Sequence, residues 1–502
     1  MKLLDRDACY RALQTRDRRF DGRFFIGVKT TGIYCRPICP ARTPYRENVT
    51  FYPSAAAAQE AGFRPCLRCR PESSPDLALW RGTSNTVARA LSLIAGGALD
   101  DDDASIDALA ARVGVGERQL RRLFRQHLGA SPIAVAQTRR VLFAKQLVHE
   151  TRLPMTQVAL ASGFGSLRRF NATFRSLYGR SPSELRRTRR DGSEQPTLDV
   201  AEGVTLYVAY RPPYDWDAML SYLAARAIPG VEQVEGGCYR RRVAEGGYEG
   251  LIEVSHVPER RALSVAIQFP EVRALPALVG CVKRLFDVGA DVEAIGAQLS
   301  ADATLARLIA RRPGLRMPGA WDAFELAVRA ILGQQVTVGA ARRLASEIVS
   351  ACGVSDTNRN GEGITLVFPA PARLAAADLS AVGMPRARKA ALQALAVEAG
   401  SDSRLFEQAA TLDEAIARLR AIRGIGEWTA QYIALRALRE TDAFPAADAG
   451  LLRAARALGI GATPEALLAR AEAWRPWRAY AAQHLWAADG DERWTEREAA
   501  YG

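Results

Sequence analysis

The 502-residue chain has no uninterrupted apolar run long enough to span a membrane, so an integral membrane protein is not expected. A signal peptide is equally absent, because Met1–Phe25 is interspersed with Asp and Arg. Cysteine is sparse. Four of the eight cysteines, Cys9, Cys238, Cys281 and Cys352, are scattered without pattern, which gives no disulfide framework and points to a reducing, cytoplasmic location.

What is present is ordinary for globular protein, with 48% hydrophobic and 25% charged residues. At this length one core is not enough, and three or four domains are expected. The formal net charge of +13 is unevenly spread. Residues 1–195 hold 33 Lys/Arg against 18 Asp/Glu, whereas residues 196–502 hold 35 against 37. A basic front half steers the chain toward a polyanion such as DNA.

The remaining four cysteines form one pattern. Cys35 and Cys39 are spaced C-x3-C, a 26-residue loop follows, and Cys66 and Cys69 are spaced C-x2-C. Two thiolates on each of two tight turns complete the tetrahedral set that one Zn²⁺ favours. Spacing alone does not separate a structural zinc knot from a site in which one thiolate is itself the nucleophile.

Further along, Ser105 is placed to cap a helix carrying Ile106, Leu109 and Ala110 at helical spacing, after an exposed acidic loop at Asp100–Asp103. From Ser105 to Arg190 two helix-turn-helix units follow each other. The first turns at Gly114 and Gly116 and exposes Arg118, Gln119, Arg121 and Arg122. The second turns at Gly163 and carries Arg168, Arg169 and Arg175, with Phe170 and Phe174 inward. Helices of this kind read the major groove with polar side chains and bind phosphates with Arg. Thr188–Pro196 has no apolar residue and reads as a linker. Residues 197–310 mix alternating strand-like stretches with one clear helix at Trp216–Arg226, the pattern of a small α+β domain.

From Pro313 the chain is helical, broken by a polar loop at Ser355–Gly363. Gly424 and Gly426 stand where two helices meet in a hairpin, a place where backbone N–H groups can approach a phosphate. About 20 residues on, Asp448 precedes a helix, where an N-cap is the simplest role.

Three resemblances sharpen these readings. Phe20–Pro71, through Thr30-Thr31-Gly32-Ile33-Tyr34-Cys35-Arg36-Pro37 and Ala61-Gly62-Phe63-Arg64-Pro65-Cys66, resembles the zinc domain of the Ada family of methylphosphotriester repair proteins. That resemblance implies that Cys35 accepts a methyl group from DNA, with Cys39, Cys66 and Cys69 completing the zinc site. Four thiolates on Zn²⁺ carry a net −2, so methylating Cys35 removes a negative charge and favours DNA. The helix-turn-helix stretch, in Phe164-Gly165-Ser166, Phe174-Arg175 and Ser181-Pro182, resembles the AraC family of regulators, with Leu167-Arg168 replacing its usual serine-rich segment.

The third covers about Thr205 to Trp486. Arg211-Pro212-Pro213-Tyr214-Asp215-Trp216, Ala330-Ile331-Leu332-Gly333-Gln334-Gln335, Gly424-Ile425-Gly426-Glu427-Trp428-Thr429-Ala430 and Arg475-Pro476-Trp477-Arg478 resemble the 3-methyladenine DNA glycosylase II branch of the helix-hairpin-helix superfamily. It implies Asp448 as the catalytic carboxylate, Trp428, Tyr432, Trp486 and Tyr222 as base-pocket aromatics suited to a cationic base, and Gln335 as the wedge. Bifunctional members carry a lysine at the place of Trp428, so a monofunctional enzyme is expected. No Pro-Cys-His-Arg segment occurs, so repair of O6-methylguanine is not expected.

The expected architecture is multidomain. A small α+β zinc domain occupies 1–78 and an all-α double helix-turn-helix 82–190, followed by a linker at 191–200. An α+β antiparallel-sheet domain spans 201–312 and an all-α helix-hairpin-helix glycosylase domain 313–490. The expected partners are alkylated and promoter double-stranded DNA, with RNA polymerase a further candidate and no membrane; the cofactor is one Zn²⁺. The rival reading is a zinc-dependent transcription regulator whose C-terminal half binds damaged DNA without catalysis.

Overall fold

A computed structural model describes residues 5–74, 85–100, 105–187, 203–352, 354–355, 363–402, 404–407, 409 and 411–489. Asp101–Asp103, the linker at Thr188–Pro196 and most of the loop at Ser355–Gly363 lie outside the described residues. The chain divides into two compact units, Met1–Tyr210 with Glu245–Gly280, and Arg211–Ala244 with Cys281–Gly502.

The first unit begins with α1 (Arg6–Gln14), β1 (Phe25–Val28), β2 (Ile33–Cys35), β3 (Val49–Tyr52), α2 (Ala55–Glu60) and the two-residue β4 (Arg64–Pro65). The strands form one sheet in the order β3-β1-β2-β4, antiparallel except for β2 and β4, which run parallel. The helical part follows as α3 (Asn85–Ala95), α4 (Ile106–Arg112), α5 (Glu117–Leu128), α6 (Pro132–Glu150), α7 (Met155–Ala161), α8 (Leu167–Tyr178) and α9 (Pro182–Arg187). Ser105 caps α4, the first helix of the first expected helix-turn-helix unit, through the Ala108 N–H as its place in the sequence predicts, and Ser166 caps α8, the second helix of the second unit, through the Arg169 N–H. Phe164, Phe170, Phe174 and Tyr178 form a ladder of ring contacts along the second of them.

Helix α6 ties the zinc domain to the helical part. Lys145, fully buried at its middle, donates to the Cys66 carbonyl at 2.9 Å and to Glu72 Oε2 at 2.7 Å. Burial alone would raise the Glu72 pKa, but Lys145, His149 and Arg70 outweigh it and hold the carboxyl at about 2. Its contribution is therefore complete at neutral pH and is lost only as pH falls below the ordinary 4.5 toward 2. Arg70 extends the network to Glu150 at 2.7 Å, and Glu150 accepts the Tyr207 N–H at 3.1 Å. Lys145→Ala leaves a buried carboxylate without its main cation and is expected to destabilise this docking by about 3–5 kcal/mol. Hydrogen exchange of residues 64–72 reads the loss as faster exchange.

Gly129 closes α5 at φ +68°, and a Cβ there would stand 3.0 Å from Pro53 and 3.2 Å from Ala57 of the zinc domain. Asp100 differs from the expected exposed loop. It is drawn in by Arg139 and Arg140 of α6, because two guanidinium groups reach the same carboxylate. The unit also contains β5 (Val204–Ala209), whose antiparallel partner Ala262–Gln268 lies between it and the strand Tyr248–Val257.

In the second unit, α10 (Trp216–Arg226) precedes the antiparallel hairpin of β6 (Glu232–Glu235) and β7 (Cys238–Glu245). Naming Tyr248–Val257 as β8 and Ala262–Gln268 as β9, the helices after them are α11 (Leu275–Leu285), α12 (Val292–Leu299), α13 (Ala303–Arg311), α14 (Ala323–Leu332) and α15 (Val338–Cys352). The series ends with α16 (Pro371–Ala376), α17 (Arg386–Ser401), α18 (Leu412–Arg420), α19 (Glu427–Arg436), α20 (Ala449–Ala457), α21 (Pro464–Ala471) and α22 (Arg478–Asp489). Helix α14 is apolar nearly all round and packs against α17 and α19 at the centre. Its two charges, Glu325 and Arg329, are met by Arg241 and Glu232 of the β6–β7 hairpin.

Candidate active sites

The strand register brings the four cysteines together. Tyr34 of β2 lies beside Pro65 of β4, so the next residue on each strand is a cysteine, Cys35 and Cys66. The Cys66 N–H donates to the Tyr34 carbonyl at 3.0 Å and locks that pairing. Cys39 follows on a tight turn, its N–H donating to the Arg36 carbonyl at 3.1 Å, and Cys69 returns from the second turn. All four Sγ atoms lie within 4.8 Å of one another. A tetrahedral zinc with bonds of about 2.3 Å needs sulfur separations of roughly 3.8 Å, which this cluster accommodates.

Two backbone donors favour thiolate, the Arg36 N–H to Cys69 Sγ and the Arg68 N–H to Cys66 Sγ, each at 3.3 Å. The cluster fits one Zn²⁺. Cys35, at 9% exposure, is the most accessible of the four. Arg36 turns inward beside it, paired with Asp21 and donating to the Cys69 carbonyl at 3.1 Å and Ser73 Oγ at 2.8 Å. It braces both cysteine turns.

On the two outer helices, Arg118, Arg121 and Arg122 of α5 and Arg168, Arg169 and Arg175 of α8 are exposed, with Gln119 half-buried. Arg121 is bound to Glu117 one turn earlier at 2.6 Å.

The second unit holds a cleft of about 1890 Å³ lined by α10, α14, α19, α20 and α22. Asp448 sits on its wall as the N-cap of α20. Its Oδ1 accepts the Gly450 and Leu451 N–H groups at 2.9 and 3.0 Å and the Trp486 indole N–H at 2.8 Å. Oδ2 accepts the Trp428 indole N–H, also at 2.8 Å, and keeps acceptor capacity toward the cleft. Cap and cleft carboxylate are thus the same group. The helix N-terminus favours its negative charge.

Trp428, Tyr432 and Arg436 follow at four-residue spacing along one face of α19. Trp428 and Tyr432 stack with centroids 5.5 Å apart, and Tyr432 meets Trp486 edge-on at 6.2 Å. Tyr222 of α10 joins them through its hydroxyl, 3.3 Å from that of Tyr432. All four expected aromatics therefore share one cleft with Asp448.

Arginine was the part of this cup that sequence left unread. Arg436 lies 4.8 Å from the Tyr222 ring centre, 4.9 Å from Trp486 and 5.7 Å from Tyr432. Arg226 covers Tyr222 at 4.0 Å. The expectation that Tyr222 offers its face to a cationic base is thereby altered, because the chain's own guanidinium groups already occupy that ring.

Gln335 is exposed at the tip of the loop after α14, in the left-handed region at φ +55°. Its neighbour Gln334 anchors the loop, donating to the Gly424 carbonyl at 3.0 Å and Thr429 Oγ1 at 2.9 Å. Gly424 itself has φ +88°, and a Cβ there would lie 2.3 Å from that of Ala391. Gly426 caps α19. Gly424→Ala is expected to cost about 1–3 kcal/mol by overpacking, read as a lower thermal midpoint.

Comparison with known proteins follows the same division. Residues 8–72 match the metal-binding domain of Ada, 109–188 a helix-turn-helix domain, and 205–322 the AlkA N-terminal domain. A probable bifunctional transcriptional activator/DNA repair enzyme AlkA from Mycobacterium tuberculosis is 42% identical over 483 residues, 96% of this chain and 96% of the relative. The chain belongs to this AlkA-type bifunctional family. Over the second half, DNA-3-methyladenine glycosylase 2 of Escherichia coli is 37% identical over 284 residues, 56% of this chain and 96% of that protein. The solved 3-methyladenine DNA glycosylase of Archaeoglobus fulgidus gives a TM-score of 0.50 at 23% identity, over 56% of this chain and 97% of its own. That likeness speaks for the fold alone. The AlkA-type chain is thus multidomain, with an Ada-like zinc domain, a helix-turn-helix domain and a glycosylase-like fold. Among its described residues no helix is long and apolar enough to cross a membrane.

Proposed function

We infer that this chain detects and repairs alkylated DNA. It takes a methyl group from a DNA methylphosphotriester onto Cys35, regulates transcription through its helix-turn-helix domain, and excises alkylated purines by hydrolysing their N-glycosidic bonds. The observation that carries the reading is Asp448, a carboxylate aimed by two indole N–H groups and a helix N-terminus into an aromatic cleft. A site that only binds damaged DNA has no need of such a charge, which counts against the non-catalytic rival.

In excision, the flipped nucleotide leaves the stack at a cost of a few kcal/mol, least for damaged bases. Gln335 fills the space left behind, while Gly424 and Gly426 let the hairpin backbone approach the phosphates. Trp428 and Trp486 contact the base, and Asp448 Oδ2 stabilises the cationic sugar and orients the attacking water. A tryptophan at 428 offers no amine to attack the sugar, so strand cleavage is not expected.

At the front end, a bound Zn²⁺ keeps the four cysteines as thiolates. Cys35 is the acceptor by its place in the Ada-like motif, and at 9% exposure it is not sealed from the surface. Arg36, through Asp21 and the Cys69 carbonyl, holds the two turns in place as the charge of the cluster changes. Arg118, Gln119, Arg122, Arg168, Arg169 and Arg175 then meet promoter DNA, and Arg121 does so once released from Glu117. RNA polymerase is the natural recipient of such a signal, in the cytoplasm.

The finer architecture we read as a small α+β zinc domain, an all-α double helix-turn-helix, an antiparallel α+β domain and an all-α helix-hairpin-helix domain. Incubation with methylated duplex DNA, followed by chromatography of free bases, tests the enzyme. Release of 3-methyladenine or 7-methylguanine without strand scission is expected, and no free base at all would end the glycosylase reading.

A further inference from the structure

Strand β5 lies at the end of its sheet, with β9 on one side and, among the described residues, no strand on the other. Such an edge leaves backbone N–H and C=O groups unpaired, and natural proteins cover or blunt it. Here helix α6 covers it with two side chains. Gln146 donates from Nε2 to the Tyr207 carbonyl at 3.0 Å, and the Tyr207 N–H donates to Glu150 Oε2 at 3.1 Å. Gln146 Nε2 also reaches Glu150 Oε2 at 2.9 Å, which closes a ring of three hydrogen bonds. Two residues one helical turn apart thus replace the neighbouring strand residue that the edge lacks. Beside this ring, α7 packs against the turn at Val272–Ala274, and Arg260 covers the Tyr207 ring at 4.3 Å.

The same carboxylate also faces the zinc domain. Glu150 Oε1 accepts from Arg70 Nη2 at 2.7 Å. The Glu150 side chain is 7% exposed, and Arg70 is its ion-pair partner among the described residues. Arg70 stands directly after Cys69, in the left-handed region at φ +50°, and opens the short turn Pro71–Ser73 that lies beside β5. Its carbonyl accepts from Ser73 Oγ at 2.8 Å, and its guanidinium is shared with Glu72. The last cysteine of the cluster therefore sets where Arg70 points. Arg70 in turn keeps Glu150 in place.

We propose that Glu150 is a latch between the zinc domain and the AlkA-type N-terminal domain at 205–322, closed only while Zn²⁺ holds the second cysteine turn. Metal binding in a cysteine cluster is coupled to the folding of its turns, so metal loss loosens the segment that aims Arg70. Glu150 is then a buried carboxylate without its cation. That state is costly, and the side chain moves to water and drops the Tyr207 N–H. The latch leaves the outer helices free. Arg118 and Arg122 of α5 and Arg168, Arg169 and Arg175 of α8 are exposed while it is closed. DNA held by the zinc domain or by these helices therefore brings the edge of the N-terminal domain with it, rather than on a free tether.

Hydrogen exchange of the full chain, resolved to single amides by fragmentation in the mass spectrometer, tests this. Strand alternation turns the Leu206 and Val208 N–H groups toward β9 and leaves that of Tyr207 to the latch, so the two neighbours are internal controls. Removing Zn²⁺ with a chelator is expected to speed Tyr207 exchange about tenfold and to leave Leu206 and Val208 within about twofold. Glu150→Ala and Arg70→Ala are each expected to give the fast Tyr207 exchange with Zn²⁺ still bound, and the chelator then adds nothing at that amide. Unchanged Tyr207 exchange in the wild type on metal removal would overturn the proposal and leave the contact as static packing. Equal acceleration at Leu206, Tyr207 and Val208 would also overturn it, since β5 would then be unfolding as a whole. So would a Tyr207 amide that still answers to the chelator in Arg70→Ala, because the coupling would bypass Arg70.

Discussion

Asp448→Asn is expected to slow release of 7-methylguanine about 10²–10³-fold in single-turnover assays while leaving the melting temperature nearly unchanged. The separation of these effects follows from the hydrogen bonds. Asparagine is as good an N-cap as aspartate, so the Gly450 and Leu451 N–H groups keep an acceptor and α20 keeps its start. What is lost is the charge. The amide also presents N–H where Oδ2 accepted the Trp428 indole, so that indole turns away from its present position 2.8 Å from the carboxylate. If the variant retained wild-type rates on cationic bases, stabilisation of the sugar would have to come from elsewhere. Asp448 would then be a cap and nothing more.

Cys35→Ala is expected to abolish methyl acceptance and, with zinc still held by Cys39, Cys66 and Cys69, to tighten DNA binding relative to the unmethylated wild type. The four-thiolate cluster carries −2 and the three-thiolate cluster −1, the same charge that methylation leaves. Repulsion toward phosphate falls accordingly, and the slope of log affinity against log salt is expected to steepen by up to about 0.9 for every additional phosphate that the protein neutralises. Fluorescence anisotropy across a salt series reads this directly. Zinc content measured on the same sample separates a charge effect from loss of the site. Tightening without zinc, or no tightening with zinc retained, would contradict the charge account.

The parts of this protein legible in its sequence are those whose partners lie close along the chain or repeat at a helical period. The cysteine pairs announce a metal site because each pair is a local turn. Ser105 announces a helix start because its hydroxyl caps the backbone three residues on. Asp448 reads as a cap for the same reason, and its cap oxygen proves to belong to the carboxylate that faces the cleft. Trp428 and Tyr432 stand one helical turn apart, so their shared face is implied by spacing alone.

Other features depend on pairings that no local pattern carries. Lys145 meets Glu72 across 73 residues, and nothing around either marks it as buried. Asp100 belongs to an acidic run that reads as solvated, yet Arg139 and Arg140 draw it in. Gln334 anchors the loop to Thr429 across 95 residues, while the adjacent Gln335 stays exposed at the tip. Arg436 was the nearest miss. It follows Tyr432 by four residues, so its place on the aromatic face was available, but a charged residue late in a helix reads more simply as a favourable dipole partner. Only the fold shows it buried among three rings.

The central claim is that a single chain reads alkylation at its front end and repairs it at both ends. The most direct test is intact and peptide mass spectrometry of the zinc-loaded protein after incubation with duplex DNA containing methylphosphotriesters. One added methyl group on Cys35, with Cys39, Cys66 and Cys69 unmodified, is the predicted result. No transfer, with zinc bound and DNA binding intact, would contradict it, reduce the cysteine cluster to a structural knot and leave a DNA-tethered glycosylase without a sensor.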